Sequence, residues 1–251
     1  MKLPSLLLFI AVLWSSCDKN LPPNTVGQTS DLDLTFTLTY GGAPLEFGKT
    51  YQYVGRPISF DEFAFYISNI KLSKDDDGVI NKIEVSEIEH LDFVSQQSIT
   101  ISLQNIPVGN YQLFEMNLGV SEDFNTSVPS DFGRSHPLND TSMYRVDWGS
   151  YIFTKLVGKY DSELAPGWDI DFNYLTANAS SLEPYSVLKS FSVEKDAKTS
   201  LKFEIEVDKI FGTDASNLIN ITENPTTEIE NNEDLMMLIM ENFSKKAIYC
   251  L

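Results

Sequence analysis

From Leu32 to Tyr40 apolar and polar residues alternate. Leu32, Leu34, Phe36 and Leu38 fall on one side, and Asp33, Thr35, Thr37 and Thr39 on the other. A period of two with β-branched residues predicts a strand that buries one face. Similar material recurs along the chain. Ile58–Ser73 and Lys82–Phe93 read as strands on either side of a turn at Lys74–Gly78. Ser98–Val120 reads as two strands joined by NIPVGN. Tyr151–Gly158, the stretch PYSVLKSFSVE and the alternating residues Leu201–Ile210 add further strands. Residues 121–142, dominated by Ser, Asn, Asp, Pro and Gly, read as loop. A helical period appears only near the end, over Asn231–Ala247. There Asn residues open the segment, acids occupy its first turn and lysines its last, and Leu235, Leu238, Ile239 and Phe243 share one face. The pattern predicts an all-β fold: an antiparallel β-sandwich with long loops and one C-terminal α-helix, as a single domain over residues 32–251.

The N-terminus does not fit this pattern. MKLPSLLLFIAVLWSSC has an early Lys, an apolar run from Leu6 to Trp14 and two serines before Cys17. The run is too short to span a bilayer permanently and long enough for a signal-peptide core. The stretch resembles a bacterial lipobox, with Leu13, small residues and then cysteine, and Trp14 where Leu is usual. That resemblance implies a leader over residues 1–16, cleavage before Cys17 and acylation of Cys17. The Pro-, Asn- and Thr-rich residues 17–31 read as a flexible tether. The expected location is the envelope of a Gram-negative-type bacterium, lipid-anchored to the outer membrane on its periplasmic or surface side. With Cys17 acylated, Cys250 has no partner for a disulfide, so the fold must stand on its core.

The net charge of -18, from 36 acidic against 18 basic residues, argues against nucleic acid as a partner, because polyanions need a basic footprint. The three aspartates of KDDDG lack the alternating ligands and distal Glu of a calcium loop. No GxSxG elbow, P-loop or GxGxxG motif is present, and the chain is expected to do no catalysis of its own. Of its two histidines, His90 lies in strand-like IEHLDFVS and reads as structural. His136 stands before Pro137 in a polar loop and is followed by Met143, Tyr144, Asp147 and Trp148. Imidazole and thioether suit copper.

Several segments, in order, resemble the MbnP family: FDEFAFYISNIKLSKDDDG, IPVGNYQLFEMNLGVSEDFN, SHPLNDTSMYRVDWGSYIFTKLVGKYD and DFNY. The resemblance runs over about residues 32–212. It implies an all-β, extracytoplasmic protein. Characterised relatives bind copper, some through histidines and a tryptophan converted to kynurenine by a partner dihaem enzyme of the MbnH type. Carried over by position, it implies His136 as a metal ligand, Met143 as a soft donor and Trp148 as a modified or contact aromatic. The chain departs from the family at three places. Arg145 and Asp147 stand where tryptophans are expected, and Leu175 follows Tyr174 where the family tends to place a histidine. Two readings follow. In the first, a lipid-anchored protein binds or hands over copper. In the second, a non-metal binding or interaction module of the envelope uses loop 121–150, with Tyr144, Trp148 and Tyr151 as contact aromatics.

Overall fold

The structure, a computed structural model, describes residues 27–251 apart from 77–78, 95, 164–166, 168 and 228–230. The expected leader, Cys17, most of the tether and the tip of the turn at 77–78 lie outside the described residues. In chain order the strands are β1 (Thr29–Tyr40), β2 (Ala43–Pro44), β3 (Tyr51–Tyr53), β4 (Arg56–Asp76), β5 (Val79–Asp92), β6 (Ser98–Pro107) and β7 (Gly109–Leu118). They continue as β8 (Tyr144–Arg145), β9 (Ser150–Tyr151), β10 (Thr154–Tyr160), β11 (Ile170–Thr176), β12 (Glu183–Val193), β13 (Thr199–Glu206) and β14 (Ile248–Cys250). The helices are α1 (Glu122–Asn125), α2 (Val207–Ile210) and α3 (Glu233–Asn242).

One sheet runs β14-β13-β1-β2 with β6 against β1, and the other runs β11-β10-β4-β7-β12 with β3 and β5 against β4. The expected sandwich is present. Its sheets are antiparallel except at one pair: β1 and β13 run parallel, with Phe36 opposite Phe203. The alternation in β1 is realised as read. Leu32, Leu34, Phe36 and Leu38 are each 0% exposed. On the outer face Thr35 meets Thr100 at 2.8 Å and Thr37 meets Ser98 at 3.0 Å. Phe36 stacks on Phe203 and turns an edge to Phe65 of the opposite sheet, so the core is built largely from rings.

Four boundaries differ from the sequence reading. Strand structure begins at Thr29, which pairs with Pro107, rather than after residue 31. NIPVGN shrinks to the single residue Val108 between β6 and β7. The alternation after Leu201 ends at Glu206 and turns into α2, which buries Val207 and Ile210. The terminal helix is shorter and rotated: α3 starts at Glu233 and buries Met236, Ile239 and Met240, with Leu235 and Leu238 only half-buried. A π-helical turn at Phe243–Ala247 carries the lysines and delivers the chain into β14. Cys250 is half-buried against the core, and burial pushes its thiol above the usual range.

Candidate functional site

Residues 121–151 are not an open loop. α1 is followed by three short 3-10 turns, Pro129–Asp131, Pro137–Asn139 and Thr141–Met143, and then by the small β8–β9 hairpin. Polar side chains fasten these pieces together. Asn139 donates from Nδ2 to the carbonyls of Pro129 (3.0 Å) and Phe132 (2.9 Å). Asn125 accepts from the backbone N–H of Tyr151 at 2.9 Å. Asp140 accepts from the N–H and hydroxyl of Ser142 at 2.8 and 2.7 Å. Short polar side chains bonding to nearby backbone take the place of sheet or helix ladders here. The platform is seated on the sandwich through two tyrosines. Tyr66 of β4 donates to the carbonyl of Pro137 at 3.1 Å, and Tyr151 donates to that of Leu138 at 3.0 Å. Leu138 and Met143 plug the core beneath, at 0% and 1% exposure.

His136 is the residue before a 3-10 turn, and its Nδ1 accepts from the N–H of Leu138 at 3.1 Å. Its ring stacks on Phe132, with centroids 4.3 Å apart. An Nδ1 that accepts is unprotonated, so the neutral ring carries its hydrogen on Nε2. A metal at Nε2 needs the opposite tautomer, in which Nδ1–H donates to an oxygen. The Leu138 N–H blocks that tautomer. Met143 is packed into the core. Among the described residues no three His, Cys, Asp or Glu side chains gather in a group that could hold a metal. Stable copper sites use at least three well-placed donors. The residues present at this site therefore do not fit a resident copper ion.

At the tip, Arg145 pairs with Asp147 through two hydrogen bonds, and its guanidinium lies 4.4 Å from the centroid of the Trp148 ring. The pairing holds the Asp147 carboxyl below its ordinary range. Tyr144 and Trp148 are half-buried and flank this tip. Tyr151, expected as a contact aromatic, is instead fully buried. Its hydroxyl is committed to Leu138, and burial raises its pKa to about 12.

The structure also brings in a residue that sequence reasoning set apart. His90 of β5 lies under the platform, stacked on Tyr66 at 4.7 Å, with Nδ1 3.7 Å from Asp140 Oδ2. Its Nε2 is buried and has no hydrogen-bond partner among the described residues. No local signal relates position 90 to position 140. Burial pushes the imidazole below its ordinary pKa, and Asp140 and Asp92 only partly oppose it. The unfolded chain therefore binds a proton at His90 before the folded one does, and stability falls as pH drops below about 6.5. One such group sets a slope of at most about 1.4 kcal/mol per pH unit. Urea midpoints at pH 7 and 5.5 should show this loss in the wild type, and His90→Gln should remove it. Equal losses in both proteins would assign the effect to other groups.

The MbnP family model matches residues 29–236, which take in both sheets apart from β14, the platform and the start of α3. A solved structure of MbnP from Methylosinus trichosporium has the same fold, with a TM-score of 0.50 and 12% identity over 74% of this chain and 78% of that one. No curated protein matches in sequence. With its family model matched over most of its length, this chain belongs to the MbnP family.

Proposed function

We propose that the chain is a lipid-anchored, non-catalytic binding protein of the bacterial envelope, that its ligand surface is the platform 121–151, and that it does not hold copper as a resident ion. The observation that carries this reading is the β8–β9 tip. Val146 projects, 86% exposed, from a base fixed by Asn125, Asn139 and Tyr151, beside Arg145, whose guanidinium covers the half-buried Trp148 ring. Trp, Tyr and Arg on a rigid support are the residues that dominate protein interfaces, because they add contact area without much loss of freedom on binding. The fixed charge of Arg145 beside Trp148 disfavours a cation at the same place.

Copper titration of the purified mature protein tests the metal part. The expected result is the same weak binding by the wild type and His136→Ala, with an unmodified mass for the Trp148 peptide. A stoichiometric ion lost in His136→Ala, or oxygen added at Trp148, would restore the copper reading of the family resemblance. A photo-crosslinker placed at Val146 in living cells tests the surface, with Val54, 61% exposed and outside the platform, as the control. A discrete protein adduct at 146 alone is the expected outcome. Identical patterns at both positions would remove the platform from consideration.

A further inference from the structure

The end of the sandwich opposite the platform carries an apolar groove with no role in the reading above. Ile80 of β5 and Leu188 of β12 are 74% and 83% exposed, and Val79 beside Ile80 is 60% exposed. Ile80, Leu188, Leu113, Gln112, Ser73 and Lys74 line one shallow groove. Its floor is continuous sheet, because Ser73 pairs with Leu113 and Leu113 with Leu188. Exposed aliphatic side chains on the face of a sheet invite association unless something covers them.

The chain enters the fold at this same end. The N–H of Val108 donates to the carbonyl of Gln28 at 2.9 Å, and Thr29 pairs with Pro107. Gly109, the next residue, lies against the side chain of Lys74, which lines the groove. Ten residue steps separate Cys17 from Gly27. Even fully extended, that length reaches only about 35 Å. The platform is at the other end: Tyr66, which holds it, is eight residues along β4 from Lys74, about 27 Å of strand.

We infer that the groove formed by Ile80, Leu113 and Leu188 rests on the lipid surface to which Cys17 anchors the chain, turning the platform away from the bilayer. This rests on the lipid-anchor reading. The anchor matters energetically, because a few aliphatic side chains make a weak contact that only a short tether turns into a stable one. The contact is apolar rather than electrostatic, since a chain of charge -18 is repelled by anionic headgroups.

The lipidated full-length mature protein is reconstituted in phosphatidylcholine vesicles. Environment-sensitive labels are placed singly at Ile80→Cys, Leu188→Cys and Val146→Cys with Cys250→Ser, all at exposed positions apart from half-buried Cys250. Spin-labelled lipid should cause loss of emission at 80 and 188 and none at 146. Leu188→Glu should abolish the loss at 80. Protein that floats with the vesicles but shows no loss at 80 or 188 overturns the docking and leaves the anchor standing. Protein that does not float overturns the anchor reading and the docking with it.

Discussion

Phe65→Ala is expected to lower stability by about 3–5 kcal/mol, the cost of deleting a fully buried ring whose site cannot collapse. Phe65 is 0% exposed and stands where three parts of the molecule meet. It offers its edge to Phe36 of the facing sheet at 6.3 Å, lies over Phe93 at 6.0 Å and meets Phe243 of the π-helical turn in a T-shape at 5.0 Å. Phe63 is a further ring neighbour at 5.4 Å. Removing the ring strands these four partners at once, and each ring pair adds to the transfer loss. Against a typical total of about 5–15 kcal/mol, such a variant is marginally folded at best. Denaturant unfolding followed by circular dichroism checks this. The midpoint should drop steeply with an unchanged slope, and Phe65→Leu should lose much less. A loss under about 1 kcal/mol would mean that the two sheets do not depend on this cluster.

The β1 core residues were legible because each strand with one buried face records its orientation in every second residue. What that pattern lacks is the partner. Nothing in Leu32–Tyr40 says that β13, which begins at Thr199, lies beside it in parallel. The end of β13 was ambiguous for a different reason. Val207 and Ile210 are apolar positions that suit the last turn of a strand pattern or one turn of helix, and both are buried in α2. The buried face of α3 is not legible in the sequence because DLMMLIM is apolar nearly all round, so packing and not periodicity chooses the side that turns inward.

The candidate site was legible as a segment and not as chemistry. HPLN reads in sequence as a histidine awaiting a metal. In the fold each of its residues serves the loop: His136 accepts from Leu138, Pro137 starts the turn, Leu138 plugs the core and Asn139 ties two carbonyls. Other segments that carry the family resemblance behave in the same way. Asn69 of FYISN adopts a φ of 52° at a bulge of β4, a conformation that Asn tolerates better than most residues. Tyr111 of PVGNY donates to the carbonyl of Pro107, and Tyr174 of DFNY to that of Asn224. A motif of this kind identifies a scaffold, and a metal site needs its own donors in addition. The His90–Asp140 apposition was beyond reach, since it depends on where a loop folds over a strand fifty residues earlier in the chain.

Gly158→Ala tests the scaffold role of the motif residues directly, and it is expected to cost about 3 kcal/mol, the upper end of overpacking penalties. Gly158 lies in β10 at the register shift against β4, opposite Phe60 and Phe172. A Cβ there would overlap the carbonyl oxygen of Ser59 and stand 2.6 Å from Phe172 Cζ. The carbonyl belongs to the central strand of its sheet. The ring is 0% exposed and hemmed by Phe60, Tyr174 and Phe211 at 5.6–6.0 Å, so neither obstacle can yield cheaply. Gly133→Ala is the matched control, because a Cβ at that position meets nothing within 4 Å. Its midpoint in denaturant should be unchanged, while that of Gly158→Ala falls. Adding Phe172→Leu to Gly158→Ala removes the ring clash but not the backbone one. The double variant should therefore recover only part of the sum of the two single losses, a coupling that a mutant cycle measures. Simple additivity would show that the ring is not the obstacle, and that the strand itself must part to admit a methyl group.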